Sequence, residues 1–145
     1  RMFAGMIETR FSCPNCRGLD YAFVCARAYA RTSGPVRELI HQFKYSQSLW
    51  LRSQLGEWLY EGYLAHYADR EFDALVPVPI HPRKWRERGY NQSEELARIL
   101  SRKTGIPVLS CLVRLKDTDS QTGLDRKKRL KHLRNAFAIK EKIVL

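Results

Sequence analysis

An α/β fold with a mainly parallel sheet flanked by helices is what this 145-residue sequence predicts. Three observations carry the expectation. Short apolar runs alternate with segments of helical periodicity, the pattern of strand, crossover helix and strand. The run Ala74-Leu75-Val76-Pro77-Val78-Pro79 is continuously apolar, as a strand buried on both faces of a parallel sheet reads. A hydrophobic fraction of 44%, with three Trp, seven Tyr and six Phe, supplies a core and argues against wholesale disorder.

Taken in order, Leu19 to Tyr29 alternates loosely and suits a strand, with Cys25 as a buried strand thiol. Thr32-Ser33-Gly34-Pro35 starts a helix with a hydroxyl cap and an early proline. Val36, Leu39, Ile40 and Phe43 give that helix one apolar stripe. A second amphipathic helix is expected from Ser48 to Tyr67, turning Leu51, Leu55, Trp58, Leu59 and Tyr63 inward. Pro79 and Pro82 end the strand at 74–79, and a basic loop follows. Asn91-Gln92-Ser93-Glu94 has the form of a capping box. Leu96, Ala97, Ile99 and Leu100 are the buried stripe of its helix, and Gly105 closes it. Ile106 to Leu109, Cys111 to Leu115, Phe137 to Ile139 and Ile143 to Leu145 read as strands. Between them lie a polar turn from Asp117 to Gly123 and a very basic helical stretch from Leu124 to Arg134.

Charge is unevenly distributed. Residues 1–80 hold nine basic and eight acidic side chains, a balance of 9 − 8 = +1; residues 81–142 hold seventeen and seven, a balance of +10. Concentration in one half points to an anionic partner, with a solvated basic surface as the plainer alternative. No apolar run reaches the roughly 18 residues of a membrane span, and nothing resembles a secretion signal, so the cytoplasm is the expected location. Arg1 at the start and Ile143-Val144-Leu145 at the end read as cut ends. Of the four cysteines, Cys13 and Cys16 form a C-x-x-C knuckle, half of a tetrahedral Zn²⁺ site. Residues 1–18 are therefore expected as a partial zinc-binding segment and 19–145 as the main domain.

The chemistry concentrates between Leu75 and Gln92. A buried strand leads into a loop bearing Arg83, Lys84, Arg86 and Arg88, then into a capped helix start. Ligands of open α/β sheets bind beyond the carboxyl ends of strands, and helix N-termini attract anions. Guanidinium forks suit phosphate oxygens, and Gly89 lets backbone approach a ligand. On these grounds the segment is a phosphate or pyrophosphate site. His81 is either a general base or a loop histidine engaged with backbone, and Asn91 is a cap first.

The run V-P-V-P-I-H-P-R followed by R-E-R-G-Y-N-Q resembles the signature of the ComF family, competence protein F and related proteins with a type I phosphoribosyltransferase fold. Gly34 to Tyr45 is similar to that family's helix ending in Lys-Tyr. Asp117-Thr118, Gln121 to Leu124, Arg126, Arg129 and Leu133 to Phe137 are similar to its later block. The resemblance covers roughly residues 13 to 140. It implies that His81, Arg83, Lys84, Arg86, Arg88, Gly89, Tyr90, Asn91 and Gln92 hold the pyrophosphate of phosphoribosyl pyrophosphate. It implies a flexible flap carrying Gln121, Arg126, Arg129 and Arg134, Mg²⁺ accompanying the ligand, and Cys13 and Cys16 as the last ligands of an N-terminal zinc ribbon. The resemblance implies a strand with two adjacent acidic residues and a Thr-Thr-Gly phosphate loop. No Asp-Asp pair and no Thr-Thr-Gly run exist in these 145 residues, so the fold is expected to be incomplete at the C-terminus and the chain inactive alone. The resemblance also implies a role in DNA uptake, with single-stranded DNA and a competence helicase as partners. Trp85 and Tyr90, interleaved with Arg83, Arg86 and Arg88, suit stacking against single strands as well as they suit packing. A scaffold without transferase activity is the remaining alternative.

Overall fold

A computed structural model of the chain describes residues 22–117 and 133–140. Helix α1 (Gly34–Tyr45) begins with Pro35 in its first turn. Ser33 occupies the cap position in extended backbone, but its hydroxyl makes no capping bond. A single 3₁₀ turn at Leu49–Leu51 leads into α2 (Arg52–Tyr67). Then come α3 (Pro82–Arg88) and α4 (Gln92–Thr104), and two short strands, β1 (Leu112–Arg114) and β2 (Phe137–Ile139).

The core joins α1, the 3₁₀ turn, α2 and the corner before α4. Phe43, Leu51, Leu55 and Tyr90 are buried together, with Leu39, Ile40, Leu49, Trp58 and Leu96 packed around them. Helices α2 and α4 lie side by side and run in the same direction. Arg52 reaches Glu95 at 2.9 Å near both N-termini, and Lys103 reaches Glu57 at 2.8 Å further along. Between those pairs Gly56 faces Ile99: a Cβ on Gly56 would lie 2.7 Å from Ile99 Cγ2. The glycine is what lets the two helix backbones approach.

Parallel helices need a return segment, and residues 68–91 supply it. Within that return, Leu75 forms a parallel bridge with Val108. Its N–H donates to the Pro107 carbonyl at 2.8 Å, and its carbonyl accepts from the Leu109 N–H at 2.9 Å. Leu75 and Val108 are thus one parallel-bridged pair of residues with α4 between them in sequence. β1 and β2 pair antiparallel, with Val113 opposite Ala138. Pairing among the described residues is confined to this bridge and this ladder.

Several expectations are met. α1, α2 and α4 occupy their expected ranges, Gly105 closes α4 in left-handed backbone with φ 77°, and β1 and β2 fall where strands were expected. The run at 74–79, expected as a strand buried on both faces, pairs only at Leu75, with Val76 and Val78 45% and 55% exposed, and the segment at 106–109 pairs only at Val108. Three further readings need correction. The described part of the strand expected from Leu19 to Tyr29 is not a strand. Val24 is 92% exposed, and the segment leans on α2 through side chains instead of joining a ladder. Tyr29 packs over Gly62 and donates a hydrogen bond to Glu61, and half-buried Cys25 sits 3.8 Å from the Tyr67 hydroxyl. Leu59, expected on the inner face of α2, is exposed, while Gly56 and Gly62 are buried. The third correction is α3, where a loop was expected. Pro82 does not merely stop a strand; it opens a helix, because its fixed φ suits the first helical position.

Residues 1–21 and 118–132 and the last five positions lie outside the described residues, and with them the Cys13–Cys16 knuckle, Gln121, Arg126, Arg129 and the strand expected at 143–145. Among the described residues no helix is long and apolar enough to cross a membrane.

Candidate anion-binding site

The basic segment is a seven-residue helix held at both ends by its own sequence. At its start His81 is the cap: its backbone is extended, and its Nδ1 accepts from the Arg83 N–H at 3.3 Å. In this conformation Nδ1 is an acceptor for backbone, the engagement that the loop-histidine alternative expects, while Nε2 is not used by that bond. At its end Gly89 adopts φ 82°, and its N–H donates to the Trp85 carbonyl at 2.7 Å. A side chain at Gly89 would meet open space but would strain the backbone, so the glycine serves the turn itself. Its amide is committed to the helix end.

The four cations fare differently. Arg83 is held by two carboxylates, Glu87 on the next turn and Asp117 from the segment after β1, both at 3.2 Å. Lys84 shares Glu87 at 3.4 Å. Arg88 lies over the Tyr45 ring, 5.0 Å from its centroid, and donates to Gln92 Oε1 at 3.2 Å. Arg86 is exposed and has no ion-pair partner among the described residues. Arg86 and Arg88 both occupy the last turn, where positive charge meets the negative end of the helix dipole.

Tyr90, Asn91 and Gln92 turn inward. The Tyr90 hydroxyl donates to the Phe43 carbonyl at 2.7 Å, and burial raises its pKa above the ordinary phenol value, with Arg88 pulling the other way. Gln92 donates to the Lys44 carbonyl at 3.3 Å. Asn91 caps α4 by accepting from the Ser93 N–H at 3.1 Å and ties the corner to the strand segment by donating to the Val78 carbonyl, also at 3.1 Å. Two carboxylates, Glu94 and Glu95, already stand in the first turn of α4 and complement its dipole. Positive charge in this corner is therefore carried by side chains of α3 and not by free backbone amides.

Sequence reasoning missed three contributors: Glu87, Tyr45 and Asp117. Glu87 was readable in principle, since it lies three and four residues beyond Lys84 and Arg83, the spacing of helical neighbours. Tyr45 and Asp117 are 43 and 34 positions from their arginine partners, and no local pattern announces them. Arg134 lies apart from α3 in sequence; its carbonyl accepts from Lys116 Nζ at 2.9 Å and its side chain is exposed.

Two cavities bear on ligand binding. One of about 570 Å³ lies between α2 and residues 24–29 and 70–75, walled by Tyr63, Tyr67 and Phe72 and remote from the basic helix. One of about 230 Å³ opens beside the other face of α3, lined by Pro79, Pro82, Trp85 and Asn91 and flanked by Arg114 and Lys140. Neither is lined by Arg83, Lys84, Arg86, Arg88 or Gly89. Among the described residues no three His, Cys, Asp or Glu side chains gather closely enough to hold a metal ion, and Cys13 and Cys16 lie outside them. The Mg²⁺ and Zn²⁺ expectations rest on the sequence alone, and no chemical step is derived through either.

No protein-family model matches the chain, and no solved structure matches it. Competence protein F of Haemophilus influenzae is 38% identical over 110 residues, which cover 72% of this chain and 48% of that protein. The chain spans about half the length of the curated relative it matches. With that identity added to the motifs from Val76 to Gln92, the chain belongs to the ComF family.

Proposed function

We propose that this chain is the part of a competence-related, phosphoribosyltransferase-like protein that recognises phosphoribosyl pyrophosphate or a related phosphate ligand through α3. The type I phosphoribosyltransferase-like fold, with a mainly parallel sheet, belongs to the same proposal. One observation carries it: four cations sit on a single seven-residue helix between the parallel-bridged segment at Leu75 and the capped start of α4. That is the place where open α/β sheets take their ligands. Support also comes from the name of the relative, which links that protein to competence.

Isothermal titration of the 145-residue chain with pyrophosphate, and with phosphoribosyl pyrophosphate and Mg²⁺, tests the reading. Arg86→Gln is the informative variant, because no described residue depends on Arg86 for a partner. A charge-assisted hydrogen bond to a phosphate is worth about 1.5–3 kcal/mol, so the variant should weaken binding by at least tenfold. Absence of heat at millimolar ligand sinks the reading.

A second reading is favoured by Trp85, which is 52% exposed on this same basic helix. A guanidinium-rich helix with an open indole suits single-stranded DNA, whose bases stack on aromatics while phosphates meet cations. Anisotropy titrations with a labelled oligonucleotide should show affinity falling steeply with salt, and Trp85→Ala should cost roughly 1–3 kcal/mol. A flat salt response excludes it.

A further inference from the structure

The anion seat on Arg83 is already filled by the protein's own carboxylate. Asp117 places Oδ2 3.2 Å from an Arg83 terminal nitrogen and Oδ1 3.8 Å from His81 Nδ1. The Oδ2 contact thus occupies a cation that the pyrophosphate reading assigns to the ligand, whereas His81 Nδ1 already accepts from the Arg83 N–H and offers the other oxygen no proton. Asp117 does not belong to α3. It reaches the helix from the segment after β1, 34 positions on, and its side chain is 26% exposed against 65% for Arg83.

Glu87 is a different kind of neighbour. It lies on α3 itself, contacts the Nε edge of Arg83, is shared with Lys84 and is 47% exposed. It moves with the cations it neutralises, whereas Asp117 occupies the outer end of the guanidinium, where an incoming phosphate would make its bonds.

We propose that Asp117 is a built-in competitor for the anion site. Resting on the phosphate reading above, this means that a ligand must displace the Asp117 carboxylate to reach the outer end of the Arg83 guanidinium. The consequence is selectivity. A carboxylate or other weak monoanion replaces one single charge by another and gains nothing, while a pyrophosphate group brings more charge and more acceptor oxygens and can complete the exchange. Asp117 thereby sets a threshold that favours polyphosphate ligands over the acetate-like anions of the cell.

The test compares pyrophosphate binding by titration calorimetry for the natural chain, Asp117→Asn, Asp117→Ser and Glu87→Gln. An exposed pair of this kind is worth up to about a factor of five, so both Asp117 variants should bind about threefold to fivefold more tightly. Glu87→Gln should stay within about twofold. Equal tightening in Glu87→Gln would show that net charge alone matters and would overturn the proposal. Unchanged or weaker binding in the Asp117 variants overturns it too, because Asp117 would then be a support for Arg83 and not its rival. If the natural chain and every variant fail to bind pyrophosphate, the anion site itself is refuted and its competitor with it. The two failures are therefore separable.

Discussion

α3 and α4 follow one another with three residues between them, both begin with a side-chain cap, and both end in a left-handed glycine. They are nevertheless opposite in kind. α4 buries Gln92, Ala97, Ile99 and Leu100 and is braced along α2; α3 buries nothing. Its cohesion comes from His81, Pro82, Gly89 and the ion pairs of Glu87. Exposed pairs of that sort contribute little, about 0–1 kcal/mol each, so α3 is the element that can rearrange at small cost. Packing resides in α4 and the cluster of cations in α3, and the corner Tyr90-Asn91-Gln92 is what keeps α3 positioned by α4.

Mutations can break that division or sharpen it. The largest effect should come from the core that the corner leans on. Phe43 is 2% exposed, and Phe43→Ala should cost about 3–5 kcal/mol by denaturant titration, enough to unfold a small domain. Next is the helix contact. Gly56→Val places branches where Ile99 already stands and should cost about 2–3 kcal/mol, with Ile99→Ala restoring part of it in the double variant.

Asn91→Ala removes both the α4 cap and the tie to Val78, for about 1–2 kcal/mol, and should loosen α3 against the strand. Tyr90→Phe should cost about 1 kcal/mol near neutral pH. Its pH dependence is diagnostic. The folded phenol has a raised pKa, so its contribution is intact below the ordinary tyrosine value and is lost as pH rises through the folded one. The natural chain should therefore lose its advantage over Tyr90→Phe in alkaline melts. Smallest of all, Arg86→Gln should leave stability within about 0.5 kcal/mol while abolishing most anion affinity; a large change in melting would erase the distinction between the two helices.

The same contrast explains what was legible in the sequence. α1 and α4 show an apolar stripe, and the Asn91 cap and Gly105 stop are local signals, so both could be placed. α2 was expected as amphipathic, but its apolar residues spread round the helix, with Leu59 and Leu64 exposed. α3 could not be placed, because seven residues without an apolar stripe leave only Pro82 and Gly89 as markers, and Pro82 also reads as the end of a strand. The cations were found by type and position, but their engagement was not. Glu87 holds Arg83 from within α3, but the second hold, by Asp117, is one that the fold and not the sequence brings near. Residues 22–29 have strand-like alternation but no strand beside them among the described residues; side-chain contact with α2 overrode propensity. Gly56 and Gly62 gave no sign of marking helix contacts, since a glycine is informative only once its neighbour is known.

The carbonyls of Phe43 and Lys44 at the end of α1 are capped by side chains 47 and 48 positions later, through Tyr90 and Gln92. Until α2, the return segment and α3 are made, those carbonyls have only water, so the end of α1 and the corner that anchors the basic helix gain these shared bonds together.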